Sequence, residues 1–270
     1  MREPRDLPRI SLSTSSVFPE STTAAFEFAK RLGYDGVEIM AGIDGISTNV
    51  DAVSRIIDYY QVPVLSVHSP CLLVTKRTWG TDPWDKLRRS VDAAQRWGAS
   101  IVIVHPPFRW QVAYAAQFTR GIKRLYERTG VVIAVENMYP WRGPGGVDLP
   151  AYAPAWDPTD MDCDHLTLDL SHAATARQSS LALVRAWGPR LRHVHLTDGR
   201  PSPKDDHLMP GAGNQHADLV LDELAANGFD GQVVVEISSR SAHSRREREG
   251  LLATSLDFAK QHLWGAGAPS

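Results

Sequence analysis

Short apolar runs rich in β-branched residues alternate with longer segments of helical period along the whole chain, and the alternation repeats eight times. The runs cover residues 10–13, 36–40, 64–68, 101–105, 131–137, 166–169, 191–196 and 233–237. Most are too uniformly apolar for a sheet with one wet face, so parallel strands covered on both sides are expected. The segments between them carry apolar residues three and four apart, as in Val50, Val53, Ile57 and Tyr60, so each has one face to bury. Asp82-Pro83 has the form of an N-cap followed by proline at the first helical position, and Gly33, Gly98, Gly130 and Gly228 fall where left-handed helix caps are wanted. Eight such units in 270 residues point to an α/β fold, the (β/α)8 TIM barrel, which takes about 250 residues in a single core. A doubly wound open sheet is the competitor, but the first strand runs into Thr14-Ser15-Ser16 without a dinucleotide-binding glycine pattern. One domain over residues 1–270 is expected, with a short arm at 1–8 and a disordered tail at 265–270.

Composition removes several function classes. A formal charge of -2 offers no general attraction to nucleic acid or to an anionic membrane, so neither partner is expected. No apolar run reaches the roughly 20 residues that span a bilayer, and a cytoplasmic location is expected. Cys71 and Cys163 are far apart, which fits a reducing compartment and argues against a thiolate zinc site. Two connections, residues 139–164 and 197–215, are long and rich in Pro and Gly; both follow strands and are expected to be lids or binding loops.

The predicted strands share a further property. Glu38, His68, His105, Glu136, Asp169, His195 and Glu236 stand on seven of the eight, near the C-terminal end, where a barrel of this kind builds its active site. Glu136 and Glu236 each close a run of valines, and such a carboxylate is costly unless a cation or hydrogen bonds meet it. A metal supplies that cation, and histidine with carboxylate suits Zn, Mn, Fe or Co better than Ca. His172, three residues past Asp169, and the loop group Asp205-Asp206-His207 add ligand types. Any one histidine is more often a hydrogen-bonded structural residue than a ligand; it is their coincidence at strand ends that points to a site. His193 is expected inward, one layer below His195, in a supporting or core role, and Glu38 divides evenly between the cavity and a structural ion pair. His165, His216, His243 and His262 are read as surface or capping residues, and Arg245, Arg246 and Arg248 as a solvated helix face.

Val67-His68-Ser69-Pro70, Val104-His105-Pro106, Val135-Glu136-Asn137, Leu168-Asp169-Leu170-Ser171-His172-Ala173, His193-Val194-His195-Leu196-Thr197-Asp198, Asp205-Asp206-His207 and Val235-Glu236-Ile237 occur in an order and at strand positions that together are specific. In these the chain resembles the xylose isomerase-like TIM-barrel superfamily, which includes sugar phosphate isomerases/epimerases and the endonuclease IV type of apurinic endonuclease (AP endonuclease family 2). The epimerase branch implies one divalent ion, Zn or Mn, held by Glu136, Asp169, His195 and Glu236. The endonuclease IV branch implies a three-zinc cluster that adds His68, His105, His172, Asp205 and His207. All these residue types are present, so the ligand set alone does not choose between the branches. Cys71 stands where the endonuclease carries a bulky aromatic that enters the duplex, which argues against DNA insertion.

The resemblance therefore implies, first, a metal-dependent isomerase or epimerase of a sugar, sugar phosphate or related hydroxycarbonyl compound working through a metal-stabilised enediolate. Glu136 and Glu236 would be the base and acid, and His172 would orient a substrate oxygen. Arg109, Arg142, Arg200 and Lys204 are candidates for a substrate phosphate or carboxylate, or else face solvent. The alternative is multi-zinc phosphoester hydrolysis with Glu136 bridging two ions, and the third reading is a non-catalytic sugar binder. A homo-oligomer is compatible with any of them.

Overall fold

A computed structural model of the chain describes residues 7–71, 75 and 77–265. Eight parallel strands close into a barrel: β1 (Arg9–Ser13), β2 (Gly36–Met40), β3 (Val64–His68), β4 (Ile101–Val104), β5 (Val132–Glu136), β8 (Leu166–Asp169), β9 (Leu191–Leu196) and β10 (Gln232–Val235). Pairing runs β1-β2-β3-β4-β5-β8-β9-β10 and returns to β1, where Ile10 stands opposite Val233. This is the expected (β/α)8 TIM barrel, and each strand is followed by the helical cover that a doubly buried parallel sheet requires. The remaining two strands, β6 (Trp141–Arg142) and β7 (Asp148–Leu149), form a small antiparallel ribbon inside the first long connection.

Helix boundaries follow the local chemistry. Helix α3 (Pro83–Trp97) is capped by the Asp82 carboxylate, which accepts from Asp85 N, has proline in its first turn and stops at Gly98 with φ 77°. Helix α1 (Thr22–Leu32) ends at Gly33 with φ 81°. Helices α2 (Val50–Tyr60), α4 (Val112–Ala115), α5 (Phe118–Thr129), α6 (Leu170–Ala176), α7 (Ser180–Trp187), α8 (Ala217–Ala226) and α9 (Arg245–Trp264) complete the outer layer. Among the described residues, no helix is long and apolar enough to cross a membrane.

Side chains alternate across each strand. One set, including Ile10, Leu12, Val37, Ile39, Val67, Val102, Ile133, Leu168, Val194 and Val235, belongs to the main core with Phe26, Phe28, Phe118 and Trp187 from the helices. Ile101, Ile103 and Ala134 form a separate apolar cluster of the opposite parity, which is the parity of Glu136. The barrel interior is otherwise polar: Ser11, Glu38, Ser66, Thr167, Asp169, His193 and His195 are all fully buried. An interior of this kind carries groups that need partners rather than the branched apolar layers usual in such barrels.

Four strands differ from the expected limits by one or two residues, the first only in beginning at Arg9, and three of them at the C-terminal end. The fourth ends at Val104, so His105 is the first residue beyond it; the fifth loses both ends; the eighth stops at Val235, leaving Glu236 in the loop. All three side chains still sit at the C-terminal mouth. Helix α9 corrects another expectation, because Arg248 is buried, bonded to Glu20 at 2.7 Å and to Ser239 at 3.0 Å rather than lying on a solvated face. His262 likewise has a partner, Asp222, at 2.9 Å. The expected arm and tail lie mostly outside the described residues.

Candidate metal centre

Asp169 closes β8 and is at once the N-cap of α6, where its Oδ1 accepts the His172 backbone N–H at 2.8 Å. The cap fixes the carboxylate and leaves Oδ2 buried with no hydrogen-bond partner, 3.6 Å from His195 Nδ1. Asn137 holds the same point from the β5 side: its Oδ1 accepts Asp169 N at 2.7 Å and its Nδ2 donates to Asp169 O at 3.0 Å. Sequence reasoning finds Asn137 in a motif without giving it a task. Its position, directly after the Glu136 that ends a strand, is the available signal.

His195 is approached on its Nδ1 side by three carboxylates: Glu136 Oε1 at 2.9 Å, Glu236 Oε2 at 3.1 Å and Asp169 Oδ2 at 3.6 Å. One ring nitrogen carries at most one proton, so it cannot satisfy all three by hydrogen bonding. Ligand atoms about 2.1 Å from a shared transition-metal ion lie roughly 3.0–3.4 Å from one another, and the three approaches to Nδ1, 2.9–3.6 Å, bracket that spacing. Behind the ring, Nε2 donates to Glu38 Oε1 at 2.9 Å, while Glu38 Oε2 accepts the Ser66 hydroxyl at 2.7 Å. Glu38 is therefore not at the mouth but beneath it, in the place of a carboxylate that orients a ligating imidazole. His193 lies on that lower level as expected, with Nε2 3.0 Å from Glu38 Oε2.

Two flanking groups repeat the pattern. His68 Nε2 and His105 Nε2 lie 3.1 and 3.0 Å from Glu136 Oε2. On the other flank, His172 Nε2 and His207 Nε2 lie 3.2 and 3.1 Å from Asp205 Oδ2. His68 Nδ1 donates to Ser69 O at 2.9 Å, His172 Nδ1 to Asn137 O at 2.9 Å and His207 Nδ1 to Glu236 O at 3.0 Å. A nitrogen facing a carbonyl must bear the proton, so Nε2 is the nitrogen that each ring can offer toward the cluster once any proton on it has left. Ser171 fixes the outer group by donating to Asp205 Oδ1 at 2.5 Å and accepting His207 N at 3.0 Å, and Ser15 donates to Glu236 Oε1 at 3.0 Å. Neither serine stands out from sequence. Donor atoms of His68, His105 and Glu136, of Glu136, Asp169 and His195, and of Asp169, His172 and His207 lie within 4.8 Å of one another in each trio.

The electrostatics follow from this crowding. Burial lowers the His195 imidazole, but Glu236, Glu38 and Glu136 outweigh it and hold the group well above its ordinary value. Burial likewise opposes His207, where Asp205 wins and the result is again well above the usual value. His172 is raised to about 10, the burial penalty being overcome by Asp169 and Asp205. His105 goes the other way: burial pushes it down to about 4 even though Glu136 faces it, so it stands neutral. Its two ring nitrogens make no hydrogen bond despite the 3.0 Å approach to Glu136, the condition of a ligand waiting for an acceptor other than a proton. The donor set fits divalent ions: buried carboxylates share neutral-capable imidazoles at ligand spacing, and among the described residues Asp169 Oδ2 and the His105 ring nitrogens have no hydrogen-bond partner.

The expected cationic residues do not join the cluster. Arg142 pairs with Asp148 and donates to Thr175 O at 3.2 Å, so it holds the β6–β7 ribbon in place. Arg109 and Arg200 are exposed, and Lys204 reaches only Asp206 at 3.4 Å. A cavity of about 920 Å³ opens beside the cluster between the loops after β3 and β4, with His105, Ser69 and Cys71 at the shared wall. Burial pushes the Cys71 thiol up to about 11, so it adds no thiolate to the site.

The family model described as xylose isomerase-like TIM barrel matches residues 26–262. An uncharacterized protein of Mycobacterium tuberculosis is 48% identical over 274 residues, covering 94% of this chain and 98% of its own length. Among solved structures, 3-keto-D-glucoside 4-epimerase from E. coli superposes with a TM-score of 0.67 at 17% identity, covering 93% of this chain and 99% of the other. Endonuclease IV from Thermus thermophilus gives 0.57 at 20% identity, covering 94% and 100%. At such identities these two likenesses speak to the fold.

Proposed function

Because the chain belongs to the xylose isomerase-like TIM-barrel family, we propose that it is a multi-metal enzyme that hydrolyses a phosphate ester, with Glu136, Asp169, His195 and Glu236 around a central ion. His68, His105 and Glu136 would hold one flanking ion, and His172, Asp205 and His207 the other. The observation that carries this reading is the pair of flanking groups. A single-ion isomerase needs only the central four residues, yet five further side chains are oriented by backbone carbonyls, serine hydroxyls or burial toward the same mouth. Divalent ions held there would supply Lewis acidity toward a phosphoryl group and an activated water. The chain's own part is to fix the ligands: Glu38 and Ser66 set the His195 ring, Asn137 and the α6 cap set Asp169, and Ser171 sets Asp205. The sequence reading puts the isomerase first; the orientation of the outer histidines is what supports putting the hydrolase first here.

The reading is tested with the metal-loaded chain and 4-nitrophenyl phosphate or its diester. Release of 4-nitrophenol that falls at least about a hundredfold in His105→Ala and in Asp205→Asn is expected, since one lost ligand or misplaced ion removes several kcal/mol from the transition state. Unchanged rates in both variants would exclude the flanking groups from catalysis.

A second reading, isomerisation or epimerisation of a sugar-like hydroxycarbonyl compound, is favoured by one observation. Burial raises the Glu236 carboxyl above the usual range, whereas Glu136, despite the same burial, is held well below it by His195 and its other imidazoles. Two carboxyls flanking one imidazole with their affinities for protons pushed apart are the arrangement of an acid and a base. That reading requires solvent deuterium to enter a carbon-bound position of the substrate, and Glu236→Gln to stop the exchange while the metal stays bound.

A further inference from the structure

The loop after β4, with Phe108 and Trp110, and the connection after β5, with Tyr152, together build a stack of three aromatic rings that ends in the cavity beside the candidate metal centre. Tyr152 lies against Phe108 with centroids 5.2 Å apart and planes at 22°, and Phe108 lies against Trp110 at 4.5 Å and 7°. Tyr152 and Phe108 are buried, but Trp110 is 56% exposed and lines the cavity. An indole is rarely left so open at the end of an ordered stack, because its apolar surface gains most from a further partner. The platform is rigid. Phe108 and Tyr152 form a β-bridge, Arg109 N donates to Ala151 O at 2.9 Å, Ala153 N donates to Pro107 O at 2.8 Å, and Gln111 Oε1 accepts Phe108 N at 2.9 Å. Trp141 of the β6–β7 ribbon stands 5.9 Å from Trp110 with its plane tilted by 53°, closing one side. His105, on the same wall of the cavity as Phe108, joins this platform to the ligand cluster.

We propose that Trp110 is a specificity residue: the alcohol part of the substrate ester carries a flat aromatic ring, and that ring stacks on Trp110 while the phosphoryl group lies at the ions. The inference rests on the hydrolase reading for the chemistry at the ions and on the ring stack for the class of ester. A preformed stacking face costs no ordering on binding, so the ring contributes its full contact. Stacking of one ring on a protein aromatic corresponds to roughly 5- to 150-fold in affinity.

The experiment measures binding to the full metal-loaded chain by titration calorimetry with two probe pairs, phenylphosphonate against methylphosphonate, whose P–C bond is not hydrolysed, and, as non-ionic controls, phenyl against methyl β-D-glucoside. Phenyl is expected to exceed methyl by at least about fivefold in each pair. Trp110→Ala should remove the difference while leaving metal content unchanged, and Trp110→Phe, which keeps a ring, should retain it. Equal binding of phenyl and methyl probes, or a phenyl preference that survives in Trp110→Ala, would overturn the proposal. If neither phosphonate binds but the phenyl glucoside preference depends on Trp110, the stacking site stands and the hydrolase reading is what fails.

Discussion

At the residue scale, the site is built from groups that each answer to two neighbours. Asp169 shows the division: Oδ1 belongs to the α6 cap and Oδ2 to the cluster. Asp169→Asn can keep the cap through its amide oxygen while removing the charge, so metal content should fall by at least one ion, and the melting temperature of the metal-free protein should move by only a few degrees. Elemental analysis and a thermal melt read the two effects separately. Protonation gives a second expectation. Without ions, His195, His207 and His172 are held above their ordinary values by carboxylates, so an incoming cation must displace protons. Metal affinity therefore rises with pH, and calorimetry in buffers of different ionisation enthalpy should show proton release; buffer-independent heats would contradict it. The same shifts set the stability of the ion-free fold. A raised histidine stabilises below its ordinary value near 6.5 and loses that contribution as pH rises toward its folded value, about 10 for His172, so ion-free protein should melt lower at pH 9 than at pH 6.5.

At the element scale, strands deliver His68, Glu136, Asp169 and His195, loops deliver His105, Asp205, His207 and Glu236, and α6 delivers His172. Asn137 clamps the junction of β5 with β8 with two buried hydrogen bonds. Asn137→Ala should cost about 2–4 kcal/mol, because it leaves the Asp169 backbone N–H and C=O buried without these partners. Denaturant unfolding of the metal-free protein measures this, and a cost below about 1 kcal/mol would show that the clamp is dispensable. The strands were legible in the sequence because their periodicity and their closing ionisable residues are local properties. The partnership of Glu38 with His195, across 157 positions, was not, since nothing in a short window distinguishes a carboxylate at the mouth from one a layer beneath it. The same reason hid the burial of Arg248, whose partner Glu20 lies 228 positions away. Strand ends shifted by one residue at His105 and by two at Glu236 without moving either side chain from the mouth, because alternation rather than strand length sets the direction.

At the scale of the whole molecule, a closed barrel brings nine side chains from distant parts of the chain to one opening. The fold class was readable from eight repeats in a single pass; the separation of the nine into a central and two flanking groups was not, because it depends on the path of the loop after β9 and on the cap of α6. Burying five carboxylates, those of Glu38, Glu136, Asp169, Asp205 and Glu236, at one end of a barrel disfavours the ion-free state, so chelation should lower the melting temperature well beyond any effect of buffer exchange. The central claim is that three ions share this mouth. Anomalous X-ray scattering at the absorption edge of the loaded metal, from crystals of the full chain, tests it most directly. Three peaks are predicted, one each between His68, His105 and Glu136, among Glu136, Asp169, His195 and Glu236, and beside His172, Asp205 and His207. A single peak at the central position would leave the flanking groups without their proposed role and contradict the hydrolase reading.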